Sequence, residues 1–376
     1  MTDEFALIEN QIFETSRYRF VLQPAGQRRP AKNAAYPMDR SPLLIDLALQ
    51  GGGSHGAFTW GVLDRLLQEP WLRIDGISGT SAGAMNAAVL AHGYAQGGPE
   101  SARAALGGFW GRVADAALYS PLRRSALDVM MGRWTMDTSP MFLAFDMAAR
   151  LFSPYDLNPA GLNPLHNILA ECIDFEGLRK APIKLFVTAT NVRTGRGRVF
   201  RNSELTPEVL LASACLPTLF QAVEIGGEPY WDGGYSGNPT MTPLIRESTS
   251  QDTLIVAINP VERPGTPRSA QEILNRLNEL SFNATLLKEL RMIGLLRQVA
   301  DTGRCEGAKW AGMRVHLVTS PVMTELGYSS KLNAERAFLL MLKDEGRRSA
   351  EEFLATNGNN LGSRSSIDLD MLMKQV

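Results

Sequence analysis

The sequence predicts an α/β protein with a mostly parallel central sheet covered by helices on both faces. Short, nearly continuous apolar runs predict buried strands, and amphipathic helical stretches alternate with them. This alternation is typical of a parallel sheet, because each crossover helix carries the chain back across one face. With 376 residues, 44% of them apolar, the chain can bury a large core in one large domain or two smaller ones.

The first forty residues (1–40) are predicted to form an extension outside this fold. Between Arg17 and Arg40, six basic residues accompany three prolines and a single acidic residue, Asp39. We interpret this run as a solvated linker in preference to an arm that contacts anionic lipid head groups. The acidic start lacks the features of a secretory signal, and no run reaches 18 apolar residues. We therefore expect a cytoplasmic protein, whose peripheral contact with the inner membrane surface, if any, is a local patch.

The main α/β domain is predicted to span residues 41–320. Leu43 to Leu49 is the first buried strand, and a glycine-rich stretch and a helix from Ala57 to Glu69 follow it. A second strand, around Ile74 to Ser78, leads into an alanine-rich helix. Further strands are predicted at 183–188, 198–201, 254–258 and 313–318, and further helices at 206–214 and 270–300.

A helical insertion is predicted at about residues 101–180, within this domain. Its large apolar side chains are Phe109, Trp110, Tyr119, Met130, Met131, Trp134, Met136, Met141, Phe142, Phe145, Met147 and Phe152. They are either ordinary helical core or the lining of an acyl-chain channel under a cap, and the sequence leaves both open. The C-terminal region, 321–376, is predicted to hold two helical stretches within 332–354 and a loose Asn/Gly/Ser-rich segment at 357–366.

Charge and metal-ligand patterns exclude several function classes. A formal net charge of -1 gives no general attraction for nucleic acid, so no nucleic-acid partner is predicted. The three cysteines, Cys172, Cys215 and Cys305, are widely spaced and read as reduced core residues. The four histidines, His55, His92, His166 and His316, show no paired metal-ligand spacing and are predicted to be structural.

The stretch Gly79-Thr80-Ser81-Ala82-Gly83 joins the second strand to the helix after it. A G-x-S-x-G turn at such a junction holds its serine in a strained conformation, and the glycines Gly79 and Gly83 permit the close packing around it. The Ser81 hydroxyl then projects at a helix N terminus, where free N–H groups favour negative charge. Ser81 is therefore the candidate nucleophile; the alternative is a plain glycine–serine turn.

The glycine-rich stretch after the first strand is the candidate oxyanion hole. Its proposed donors are Gly51, Gly52, Gly53 and Ser54. Both loops follow parallel strands and open at the same sheet edge, and successive glycine N–H groups form a concave anion site. The stretch also satisfies G-x-G-x-x-G, with Asp75 about 20 residues further on, as in a dinucleotide-binding oxidoreductase. That alternative fits less well, because Asp75 lies at the entry of its strand and ligands bind beyond strand exits.

Asp232, in Asp232-Gly233-Gly234, is the candidate base. No histidine stands where a Ser–acid–His order would need one, apart from His316 in a predicted strand. A carboxylate is a weaker base than imidazole, with ordinary pKa values of about 4 and 6.5, so Asp232 would need desolvation or coupling to a developing oxyanion. Taken alone, the tripeptide is a plain Asp–Gly turn.

In this order, the glycine loop, the serine turn and the acid motif resemble the patatin-like phospholipase family. The resemblance covers about Leu43 to Ile258, including the stretch Ala212 to Phe220 before Asp232. It implies a three-layer α/β/α sandwich and a Ser81–Asp232 dyad that cleaves acyl esters of lipids without metal or cofactor. The loop's usual basic residue is replaced here by His55.

Three functions stay open from the sequence. The favoured one is a serine lipid acyl hydrolase; the others are a nucleotide-binding oxidoreductase and a non-catalytic lipid-binding module of the same fold. Acyl-chain length, head group and oligomeric state are undetermined by the sequence.

Overall fold

A computed structural model describes residues 40–299 and 306–369. The predicted N-terminal extension lies outside the described residues apart from its last residue, Arg40. Cys305 also lies outside them. Within the described part, the strands are β1 Leu43–Leu49, β2 Leu72–Gly79, β3 Lys184–Asn191, β4 Gly197–Arg201, β5 Val223–Ile225, β6 Glu228–Asp232, β7 Asp252–Val256 and β8 Arg314–Val318.

These strands form one mixed sheet in the order β5–β6–β3–β2–β1–β7–β8, with β4 also paired to β3. The pairs β1–β2, β1–β7, β2–β3 and β7–β8 are parallel, whereas β4, β5 and β6 pair antiparallel. Because β1 and β2 are parallel neighbours, the loops that follow them open at the same edge.

The helices of the described residues connect and cover this sheet. They are α1 Gly56–Leu66, α2 Ala82–Ala117, α3 Ala126–Met130, α4 Pro140–Leu151, α5 Pro154–Leu157, α6 Pro164–Cys172, α7 Phe175–Leu178, α8 Pro207–Ser213, α9 Thr242–Glu247, α10 Ala270–Val299, α11 Glu306–Ala311, α12 Val322–Glu325 and α13 Arg336–Asn357. Helix α2 is kinked at Gly97 and Gly98, whose backbone angles are non-helical, where the sequence predicts a break.

Alternate residues of the central strands enter two separate cores. Leu47 and Leu49 of β1 pack with apolar residues of α1, α2 and α13 on one face. Ala48 packs with residues of α9 and α10 on the other. Both faces of the sheet are therefore buried, and the predicted three-layer α/β/α fold is confirmed.

The C-terminal region differs from its prediction in two ways. One continuous helix, α13, stands where two stretches were expected. The prediction of a loose segment at 357–366 is wrong, because this segment packs against β7 and β8. Gly362 donates its N–H to Asp252 Oδ1 at 2.9 Å, and Ser366 Oγ lies 3.2 Å from His316 Nδ1. Its polar residues satisfy buried groups of the sheet, which composition does not reveal.

None of the described helices is both long and apolar enough to cross a bilayer.

Candidate active site

The turn after β2 holds Ser81 in a strained conformation. Its φ of 55° and ψ of -124° make it the one non-glycine residue with positive φ in the described part of the chain. The Ser81 N–H donates to Ser213 Oγ at 2.9 Å, and that hydroxyl donates to Thr188 O at 2.7 Å. These bonds from α8 and β3 hold the turn in place, so the surrounding fold sustains a conformation that costs about 1–3 kcal/mol.

The serine turn leaves no room for side chains on its glycine neighbours. A Cβ atom added to Gly51 would lie 2.6 Å from Ser81 Cβ, and one added to Gly83 would overlap the carbonyl oxygen of Leu49. The glycine loop and the elbow are therefore in direct backbone contact.

The amides of the glycine loop are not equivalent. The Gly51 N–H donates to Asn238 Oδ1 at 2.7 Å, so the prediction that it serves an oxyanion does not fit the structure. Within residues 40–299 and 306–369, no acceptor takes the N–H of Gly52, Gly53 or Ser54. Gly52 and Gly53 line a cavity that also contains Ser81, whereas Ser54 does not line it.

Asp232 ends β6 inside the same cavity and is 1% exposed. Its Oδ1 accepts the Gly234 N–H at 2.7 Å, and the Ser81 hydroxyl lines the same cavity. Burial raises the pKa of Asp232 to about 7, against the opposing effects of the Gly234 hydrogen bond, the Ser81 hydroxyl and the Lys331 charge. Because its pKa is raised, Asp232 is a stronger base near neutral pH than an ordinary carboxylate.

The cavity has a volume of about 290 Å³ and mainly apolar walls. Phe142, Phe145 and Ala149 of α4 form one side, and Leu274 and Phe282 of α10 form another. The same two helices also contribute polar lining residues, Asp146 and Arg150 from α4 and Asn275 and Asn278 from α10. A mainly apolar cavity beside Ser81 suits an acyl chain whose ester group lies at Ser81.

The insertion's large apolar residues are divided between the core, the cavity wall and the surface. Phe109 and Trp110 are buried core residues, whereas Phe142 and Phe145 line the cavity. Others are exposed, including Met130 at 81% and Phe152 at 55%.

The four histidines do not line the cavity. His316 bonds Asp252 Oδ1 at 3.0 Å, and His92 Nδ1 accepts the Asp174 N–H at 3.3 Å. His166 bonds Glu208 on the surface, and His55 contacts the C-terminal region. In the part of the chain that the structure describes, no three His, Cys, Asp or Glu side chains cluster as metal ligands would.

Asp75 lies away from the glycine loop. Its carboxylate pairs with Lys184 Nζ at 3.1 Å and accepts the Thr249 N–H at 2.6 Å. Asp75 lies in the first half of β2, whereas Ser81 lies two residues beyond the last residue of that strand, Gly79. Asp75 is therefore not placed to bind a ribose beside the glycines.

The cavity also contains residues that sequence reasoning missed. Tyr328 and Lys331 enter it from a region more than 240 residues after Ser81, and Phe282 enters from α10. They belong to no motif around the serine turn, so only their three-dimensional position identifies them.

Comparison with known proteins agrees with this geometry. Residues 47–245, more than half of the chain, match the model of the family described as patatin-like phospholipase. No curated protein matches the chain.

The chain also matches two solved structures at low similarity. VipD from Legionella pneumophila has 15% identity and a TM-score of 0.36, covering 84% of this chain and 67% of its own. A chain of the heterodimeric ExoU–SpcU complex from the type III secretion system of Pseudomonas aeruginosa has 19% identity and a TM-score of 0.27, covering 87% of this chain and 68% of its own. These TM-scores are too low to support a functional comparison.

Proposed function

This chain belongs to the patatin-like phospholipase family, and we propose that it is a serine hydrolase that cleaves acyl esters of lipids. Ser81 is the nucleophile and Asp232 the base. The observation that carries the proposal is that one cavity is lined by both Ser81 and a buried carboxyl group, Asp232, whose pKa is raised and is influenced by the Ser81 hydroxyl. Both groups face the cavity that Gly52 and Gly53 line.

Acylation would start when Ser81 Oγ attacks the ester carbonyl carbon and its proton passes to Asp232. The carbonyl oxygen becomes an oxyanion, which accepts hydrogen bonds from the N–H groups of Gly52 and Gly53. The N–H of Ala82, at the start of α2, has no acceptor among the described residues and adds a donor. Each such donor is worth about 3–4 kcal/mol in the transition state.

The intermediate then collapses as the C–O bond to the alcohol breaks and Asp232 returns the proton to the leaving oxygen. In deacylation, water attacks the acyl-enzyme and gives a proton to Asp232. The proton returns to Ser81 as the fatty acid leaves. No group other than this pair needs to change its protonation state.

The substrate we propose is a lipid or another ester with an apolar acyl chain. The apolar walls of the cavity support this assignment. Exposed apolar side chains of the insertion, such as Met147 and Leu151 at 63% and 73%, support peripheral contact with a lipid surface. We retain the division into a hydrolase domain, 41–320, and a C-terminal region, 321–376, as a proposal.

The test uses release of p-nitrophenol from medium-chain esters. Ser81→Ala and Asp232→Asn should each abolish it while the circular dichroism spectrum stays unchanged. The exposed Ser203→Ala and Asp344→Asn are matched controls and should keep wild-type rates. Full activity of Asp232→Asn would refute the dyad.

A fluorophosphonate probe provides an independent test of the nucleophile. It should label wild-type protein at Ser81 and leave Ser81→Ala unlabelled. Absence of both labelling and hydrolysis in the wild type would favour a non-catalytic lipid-binding protein of the same fold.

A further inference from the structure

Lys331 carries an ammonium group to which the proposed reaction assigns no role. It belongs to a 3₁₀ turn, Ser329–Leu332, that lies outside the residues matching the family model. Its side chain lines the cavity that contains Ser81 and Asp232. In the part of the chain that the structure describes, no carboxylate forms an ion pair with Nζ. Nζ also lies 5.7 Å from the centroid of the Phe282 ring, and the residue is half-buried. An ammonium group in such a site that has no paired carboxylate is available to a bound anion.

The Lys331 side chain is aimed at the glycine loop by Asn259. Nζ donates to Asn259 Oδ1 at 2.8 Å. The Asn259 amide is itself oriented, because its Nδ2 donates to Gly51 O at 2.7 Å and to Gln50 Oε1 at 3.2 Å. Asn259 Oδ1 lies 3.7 Å from the Cβ position of Gly52. The ammonium is therefore held beside the loop whose amides are free.

The backbone of the turn is also fixed against that loop. A Cβ atom added to Gly53 would overlap the carbonyl oxygen of Lys331. Ser330 Oγ donates a hydrogen bond to Gly327 O at 2.7 Å, so it accepts the hydrogen bond from the His55 Nε2–H group at 2.8 Å. On the other side, Ser329 Oγ accepts the Met136 N–H at 2.9 Å. Lys331 is thus positioned by both the loop and the insertion.

His55 does not carry this charge, although it occupies the loop's usual basic position. Its Nε2 is used as a donor, and no partner for Nδ1 exists among the described residues. Burial, with the nearby charges of Lys331 and Arg263, lowers the pKa of His55 well below its ordinary value. The imidazole is therefore neutral, and Lys331 is the cation at this end of the cavity.

We propose that Lys331 stabilises the oxyanion that forms beside Gly52 and Gly53, as a catalytic residue supplied by the C-terminal region. This inference rests on the proposed function, because it requires Ser81 to attack a carbonyl group. A charged donor in a site with little water adds strongly to neutral amide donors.

The test compares Lys331→Met, which removes the charge, with Lys331→Arg, which keeps it. On a neutral p-nitrophenyl ester, Lys331→Met should lower kcat about 100-fold or more, and Lys331→Arg should restore much of that loss. Lys309→Met, which changes an exposed lysine of α11, should keep the wild-type rate.

The pH profile separates a catalytic charge from a structural one. The charged and titratable groups facing Lys331 are Glu279, Arg263, Asp232, His55 and Tyr328. Burial lowers the pKa of Lys331 to about 8, whereas that of Asp232 is raised to about 7. Wild-type kcat should rise through pH 7 and fall above pH 8. The alkaline fall should vanish in Lys331→Met and move beyond pH 9 in Lys331→Arg.

The outcomes are distinguishable. If wild-type activity depends on Ser81 but Lys331→Met keeps its rate and its alkaline fall, the inference is overturned and the proposed function stands. If only phospholipid hydrolysis suffers and the neutral ester does not, Lys331 binds a head-group phosphate instead and the oxyanion assignment is wrong. If Ser81→Ala leaves hydrolysis unchanged, both proposals fail together.

Discussion

Replacing Asp232 by asparagine should stabilise the protein at alkaline pH while it abolishes activity. The carboxyl group is 1% exposed, and its Oδ1 accepts the Gly234 N–H at 2.7 Å. Ionising it inside the fold is therefore expensive. Asparagine keeps an oxygen acceptor for Gly234 and carries no charge.

The magnitude follows from the pKa of Asp232. Burial raises it from 3.8 to about 7, a shift of about 3 pKa units. At about 1.36 kcal/mol per unit, the ionised side chain destabilises the fold by about 4 kcal/mol. The sign is that of a raised acid pKa: the native state binds the extra proton, so the cost begins above pH 4 and is complete above pH 7. A variant with a neutral side chain at position 232 does not carry this free-energy cost.

Urea unfolding monitored by tryptophan fluorescence measures this effect. The free energy of unfolding of Asp232→Asn should exceed that of the wild type by a margin that grows from pH 4 to pH 7 and is then constant, at about 4 kcal/mol. Asp344→Asn, at an exposed position, should show no such margin. A margin independent of pH, or a variant less stable than the wild type at pH 8.5, would refute the reasoning.

Three further predictions concern the serine turn and a buried thiol. Because Ser81 has a φ of 55°, Ser81→Gly should be about 1–2 kcal/mol more stable than Ser81→Ala in thermal unfolding, although both are inactive; equal stabilities would argue against strain. Gly51→Ala should lose most esterase activity, since its Cβ would lie 2.6 Å from Ser81 Cβ, whereas Gly108→Ala, with open space on an exposed helix position, should keep it. Burial raises the pKa of the Cys215 thiol to about 12, so iodoacetamide at pH 8 should leave it unmodified in the native protein, and mass spectrometry showing rapid alkylation would contradict this.

Local patterns predicted much of this structure because they reflect local physics. The first strand is observed at its predicted bounds, Leu43–Leu49, since a continuous apolar run fits a strand buried on both faces. The break at Gly97 and Gly98 also appears as predicted, because glycine and a following proline oppose helical continuity. The order of the motifs identified Ser81 and Asp232 as candidate catalytic residues, and the fold brings them into one cavity.

Predictions failed where a residue's role depends on contacts distant in sequence. Residues 357–366 are polar and glycine-rich, yet they satisfy the buried Asp252–His316 pair. Gly51 belongs to the glycine loop, yet its N–H is taken by Asn238, nearly 190 residues further on.

Alternating strand and helix patterns were enough to predict the α/β fold, because strand, turn and helix preferences act over a few residues. Three short motifs, in their order, carried the resemblance to a hydrolase family. Tertiary structure alone decided which loop amides stay free, how strongly Asp232 is desolvated, and which cation faces it. Those properties arise from burial and from neighbours such as Lys331, brought close by folding from a region far along the chain. Desolvation and charge proximity depend on distance in space, which sequence separation does not encode.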